Sequence, residues 1–219
     1  MPVIAVVGNK GGAGKTTLSI NIASGLHRRF STVLLDADPQ RSSFQWREIA
    51  ERDDIVEVVD AVDDLVETVR MYRDLSEYLV IDCPPSVQSE QARLALTCSD
   101  IAVIPVLPSP LDLWATVHVE QELEWARTVN PDIKGLIVVN QLESRTLLSR
   151  LIREALGEIE LPVAKTGITR RMAYRNAMLQ GCSVLDAGAS ANDAARDVIQ
   201  LVEEVLENIK MEEEALEYV

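Results

Sequence analysis

Two lysines five residues apart stand in "GNKGGAGKTT", residues 8–17, directly after the apolar run "VIAVV". An ammonium at Lys15 can reach the β and γ phosphates of a nucleotide, and the Thr16 hydroxyl can ligate Mg2+. Gly11, Gly12 and Gly14 permit backbone angles and close approaches that a Cβ would block. The N–H groups of this loop, Ala13 included, can therefore converge on phosphate oxygens at the start of the next helix, with Thr17 near the α phosphate. The strict G-x-x-x-x-G-K-[ST] pattern is missed by one residue, because its first glycine falls at Asn9 and Gly8 stands one place early. Lys10 is surplus to a generic phosphate loop. Phosphoryl transfer through a loose, charge-rich transition state gains from a second cation, and these motifs hold no arginine to supply it.

Acidic residues stand where such a loop needs them. "LLDADPQ" ends an apolar run with Asp36 and Asp38, and "LVIDCPP" ends another with Asp82. Carboxylates are suited to a hard cation, so Asp82 is the expected holder of Mg2+, directly or through a bound water, with Asp36 close enough to share that work. Asp38 is assigned to orienting the attacking water. "DPQ" is also turn chemistry, so an aspartate here can instead cap a helix or hold a turn.

The elements that must position these groups follow from periodicity. Apolar, β-branched runs at 3–8, 32–38, 78–85, 100–106 and 134–141 lack polar alternation, which suits strands buried on both faces of a parallel sheet. Helical spacing falls between them, over 15–29, 42–52, 86–97, 112–127 and 146–156. Strand then helix, repeated, predicts a doubly wound α/β sheet whose ligand crevice lies beyond the carboxyl ends of the strands. Val198, Leu201, Val202, Val205, Leu206 and Ile209 follow one buried helical stripe that should close the fold. With 219 residues and 47% hydrophobic content, one domain spanning 1–219 is expected, with an acidic tail from about 211.

Taken together, "KGGAGKTT", "LLDADPQ", "VIDCPP" and "PVLPSPLDLWA" resemble the ParA family of deviant Walker-box ATPases. The likeness runs from the first strand to about Asp112, with a weaker echo in "VVNQ" and "GITRRMAYRNAMLQGCSVLD". It implies a P-loop fold, ATP and Mg2+ as ligands, and an ATP-dependent homodimer in which Lys10 reaches across to the partner's phosphates. It further implies nonspecific DNA binding by that dimer, and hydrolysis stimulated by a ParB-like or cargo-adaptor protein. The segment from Pro105 to Asp112 should line the adenine end or the dimer face, and Asn140 should hydrogen-bond the base.

The rest of the chain narrows the branch. Glu212, Glu213, Glu214 and Glu217 would be repelled by anionic lipid, so a MinD-like membrane helix is disfavoured. Cys83, Cys98 and Cys182 have no cluster-holding or zinc spacing and read as buried reduced thiols. No leader or operator-binding extension precedes the first strand, so a cytoplasmic protein, nucleoid-associated when ATP-bound, is expected.

A net charge of −14 argues against a chain that coats nucleic acid. Residues 144–175 nonetheless hold seven basic side chains against three acidic ones, with Arg145, Arg170, Arg171 and Arg175 as the candidate DNA face. The expected activity is ATP-driven positioning of a cargo, whether a plasmid, a chromosome region or a cytosolic body such as a carboxysome. The alternative is an ATP-binding regulator or scaffold with little hydrolysis and no DNA binding.

Overall fold

The computed structural model describes residues 1–143 and 159–210. Six strands, β1 (Val3–Val6), β2 (Thr32–Asp36), β3 (Glu57–Asp60), β4 (Tyr78–Asp82), β5 (Ile101–Val106) and β6 (Lys134–Val139), form one sheet in the order β3-β2-β4-β1-β5-β6. All pairings are parallel. An all-parallel sheet needs helices on both faces, and the strand residues alternate between two cores accordingly. Ile4, Val6, Leu34, Val80, Val103 and Val138 pack with α1 (Lys15–His27), α2 (Ser42–Ile49), α6 (Met172–Leu179) and α7 (Asn192–Lys210). Val3, Ala5, Leu35, Ile81, Ile104 and Val139 pack with α3 (Leu65–Tyr72), α4 (Glu90–Cys98) and α5 (Pro110–Arg127).

The doubly wound parallel expectation holds, and its boundaries tighten for local reasons. The helix expected from residue 86 begins at Glu90, because Ser89 caps it by accepting a hydrogen bond from the Ala92 N–H. The helix expected from 112 begins two residues earlier, with Pro110 in its first turn and Ser109 accepting from the Asp112 N–H. β3 and α3 were not expected. β3 is a four-residue edge strand whose burial is incomplete, so it lacks the continuous apolar run that marked its neighbours. The helix expected over 146–156, Arg145 and the acidic tail lie outside the described residues.

Strand order positions the site. β4 lies between β1 and β2, so Val6, Asp82 and Asp36 come into register across three adjacent strand ends. The loop that leaves β1 at Val6 thereby runs over both aspartates. Beyond β6, residues 162–170 run alongside it through Ala164 N–H to Ile137 O, Ile168 N–H to Val139 O and Leu142 N–H to Ile168 O. This segment carries the chain into α6. Cys83 and Cys182 are buried free thiols and Cys98 is partly buried. No helix among the described residues is long and apolar enough to cross a membrane.

Candidate functional site

The phosphate loop is formed as its residue types require. Gly12 and Gly14 have φ of 80° and 89°, a left-handed backbone that favours glycine. Gly14 is the N-cap of α1, and α1 has neither a side-chain cap nor an acidic residue in its first turn. The free N–H groups and the positive end of that helix are thus available to an anion. Gly11, Gly12, Gly14, Lys15, Thr16 and Thr17 line one wall of an open cleft of about 410 Å³, and Asp38, Gln40, Pro85 and Gln141 line the rest. That volume lies within the range of small-ligand sites.

Lys15 is buried, with its Nζ donating to the Lys10 carbonyl oxygen at 3.0 Å. Burial lowers its pKa, and Asp82, Cys83 and Asp38 partly offset this. A lysine held dry beside a helix N-terminus gains most when phosphate arrives.

Asp82 is fully buried and accepts from Ser19 Oγ at 3.0 Å and Ser43 Oγ at 3.2 Å. Burial, with Asp36 adding repulsion, pushes its carboxyl up to about 7, while hydrogen bonds from Thr16, Ser19 and Ser43 pull the other way. A threonine hydroxyl beside a buried carboxylate is an oxygen donor pair suited to Mg2+. Ser19 and Ser43 were not singled out from sequence. They are ordinary polar residues on α1 and α2 until β4 brings Asp82 between them.

Asp36, expected to share the cation, is bonded to the backbone on both oxygens. One carboxylate oxygen accepts from the Asp38 N–H at 3.1 Å and the other from the Phe44 N–H at 2.9 Å. It therefore holds the turn after β2 and the start of α2, the turn and capping role that "DPQ" also allowed. Burial raises its pKa, and these N–H bonds oppose the rise. Asp38 is positioned by this anchor, accepts from the Gln40 N–H at 2.9 Å, and faces the cleft.

Lys10 meets an acceptor that the sequence reading did not assign to it. Its Nζ lies 3.1 Å from Asp112 Oδ1 and 3.3 Å from Oδ2, in the first turn of α5. Asp112 is 7% exposed and Lys10 49%. "SPLD" is a capping sequence, with Asp112 at its third helical position hydrogen-bonded to Ser109. The capping pattern was legible, but the partner 102 residues away was not. An ion pair with one half-exposed member contributes about 0–1 kcal/mol, so it directs Lys10 without locking it. Replacing Asp112 with Asn should free Lys10 at little cost: the melting temperature should stay within about 3 °C of the parent.

The candidate DNA-facing arginines among the described residues lie at the start of α6. Arg170 and Arg171 precede α6, with Arg171 at its N-cap, and only Arg175 lies on the helix. Arg170 pairs with Glu143 at 3.3 Å, and Arg171 lies 3.6 Å from both Asp193 and Asp197. All three, with Thr17, Leu18, Asn140, Ile168 and Tyr174, line a cavity of about 130 Å³ beside the phosphate loop. Asn140 borders this cavity, but its amide donates to the Ala13 carbonyl at 2.6 Å.

A parallel sheet with a glycine-rich loop leading from its central strand into a buried helix, above two strand-end aspartates, defines a P-loop nucleotide-binding protein. The chain belongs to the CobQ/CobB/MinD/ParA nucleotide binding domain family, which it matches over residues 4–212. It is 37% identical over 211 residues to a "Maintenance of carboxysome distribution protein A" of Halothiobacillus neapolitanus, covering 93% of this chain and 95% of that protein. Among solved structures, apo McdA of Cyanothece superposes with a TM-score of 0.77 at 16% identity, covering 94% of this chain and 99% of that one. A cobyrinic acid a,c-diamide synthase from Mycobacterium smegmatis, solved with ADP and magnesium, gives 0.76 at 20% identity, covering 95% of each chain. At those identities the structural likeness speaks for the fold.

Proposed function

We propose that the chain is an ATPase that dimerises around Mg2+-ATP and positions a cargo, with hydrolysis ending each dimeric state. The observation that carries this reading is the cleft lined by Lys15, Thr16 and Asp38, with Asp82 buried beside Thr16 and Ser19. In the proposed reaction Lys15 and the loop N–H groups hold the β and γ phosphates, and Thr16 and Asp82 would hold Mg2+, which neutralises phosphate charge. Asp38 accepts a hydrogen bond from the attacking water and aims it in line with the γ phosphate. Asp36 keeps Asp38 in place.

Lys10 leaves Asp112 and crosses to the second copy's phosphates, adding a cation where transition-state charge develops. Because the ion pair it gives up is weak, phosphate attraction in a water-excluded interface readily outweighs it. Likeness to a carboxysome distribution protein supports a cytosolic body as cargo and an adaptor on that body as the stimulating partner. Nonspecific DNA is the proposed track. Arg170 and Arg171 are engaged with acidic neighbours, so Arg175, exposed on α6, carries more of this role in the reading than they do.

The test is phosphate release, oligomeric state and DNA retention, measured for the wild type and for Asp38→Ala with Mg2+-ATP. We expect Asp38→Ala to lower turnover about 100-fold or more while accumulating an ATP-bound dimer that stays on DNA at low salt. A wild-type chain that remained monomeric with ATP would refute the dimer mechanism. One that dimerised and turned over but ignored DNA would remove the DNA arm alone.

A further inference from the structure

For loop N–H groups to face a phosphate, carbonyls of the same peptides must face the protein, where each needs a donor. Two of these donors come from the end of β6. Asn140 Nδ2 donates to the Ala13 carbonyl at 2.6 Å, and Gln141 Nε2 donates to the Gly12 carbonyl at 3.0 Å. Asn140 is 5% exposed and is itself held, because its Oδ1 accepts from the Gln141 N–H at 2.9 Å. Its own N–H donates to the Val106 carbonyl at the end of β5.

Two backbone features fit this brace. A Cβ on Gly14 would lie 2.4 Å from Asn140 Nδ2, so the absence of a side chain there lets the amide lie against the loop. Gln141 has φ of 55°, a left-handed conformation that side chains other than glycine seldom adopt. That turn leaves its amide within reach of Gly12.

We propose that Asn140 and Gln141 are positioning residues that hold the phosphate loop in its binding shape, so that Asn140 contributes to nucleotide affinity through the phosphates rather than by reading the base. The inference rests on the cleft being a phosphate site, as proposed above. Asn140 has its carbonyl and one amide hydrogen committed to the protein, and Gln141 borders both the phosphate cleft and the cavity beside it. A loop deprived of either donor samples other shapes and presents fewer N–H groups together. Any ligand with the polyphosphate should feel that loss, whatever its base.

Base-free inorganic tripolyphosphate separates the two roles. With Mg2+ present, displacement of a fluorescent ATP analogue by ATP, GTP and tripolyphosphate is measured for the wild type, Asn140→Ala, Gln141→Ala and Gln141→Glu. Asn140→Ala should weaken all three ligands by about tenfold, leaving the ATP-to-GTP ratio within about twofold of the wild type. Gln141→Ala should weaken them about fivefold at an unchanged melting temperature, and Gln141→Glu, of equal reach but without a donor, by at least as much. The melting temperature and the common loss on tripolyphosphate distinguish positioning from general damage.

If Asn140→Ala altered the ATP-to-GTP ratio tenfold while tripolyphosphate bound normally, Asn140 would be a base reader and the proposal would fail. Unchanged affinities in the Gln141 variants would equally overturn it, and these variants decide the matter if Asn140→Ala does not fold. A wild-type chain that bound none of the three ligands would instead overturn the phosphate-site reading on which the inference stands.

Discussion

Lys15→Ala should yield a folded chain whose affinity for Mg2+-ATP falls about 100-fold or more, measured by titration calorimetry. Lys15 is buried at the start of α1, lines the phosphate cleft and donates a hydrogen bond to the Lys10 carbonyl. Charge-assisted bonds to phosphate contribute about 1.5–3 kcal/mol each, and two of them account for a loss of that size. Folding should be little affected. Burial disfavours the charged form of Lys15, so its removal takes away a desolvated charge as well as a contact. Alanine also suits a first helical turn. Nucleotide-induced stabilisation, the usual rise in melting temperature on ligand binding, should disappear along with binding. A variant that bound Mg2+-ATP normally would remove Lys15 from the site.

Asp82→Asn should abolish Mg2+-dependent phosphate release and at the same time stabilise the nucleotide-free chain. Asp82 is a fully buried carboxylate beside a second one, Asp36, and its pKa is pushed up to about 7. In an unfolded chain it would titrate near the ordinary value of about 3.9. Between those values the folded state binds more protons than the unfolded state, so stability declines as pH rises from about 4 to about 7. Above that window the full cost of the buried charge is present.

Asparagine has nearly the same shape and no charge, and its carbonyl can still accept from Ser19. The variant should therefore be more stable than the parent by about 1–3 kcal/mol at pH 8, and the difference should vanish near pH 4. Thermal melts at the two pH values measure it. Mg2+ binding would relieve the same repulsion in the parent. A functional group kept at a cost in stability is a pattern expected of sites rather than of cores.

The two predictions draw on different sources of information. Lys15 could be assigned from eight or so consecutive residues, because a phosphate loop is a local object. Its glycines, lysine and threonine act within one turn and the first turn of one helix, so their spacing in the chain is their spacing in space. The parallel sheet was similarly legible, since strands buried on both faces leave continuous apolar runs, and α7 displayed its buried stripe directly. β3 escaped because an edge strand only partly buried leaves no such run.

The Asp82 prediction needed the tertiary structure. That Asp82 ends a strand is plain from "LVIDCPP", but its elevated pKa depends on β4 entering between β1 and β2. This sets Asp36 opposite it and brings Ser19 and Ser43 onto its oxygens. Asp36 reads from the sequence as a cation holder, with a turn contact as the alternative, and only the fold shows that its oxygens accept from the N–H groups of Asp38 and Phe44.

By itself, then, the sequence determined the phosphate loop, the surplus lysine, the acidic strand ends and a sheet with helices on both faces. Tertiary structure decided where Lys10 rests, what Asn140 holds, and that Arg170, Arg171 and Arg175 border a cavity beside the phosphate loop. The physical reason is one of distance along the chain. Lys10 meets Asp112 across 102 residues and Asn140 meets Ala13 across 127. Those encounters follow from strand order and register, which local periodicity does not encode.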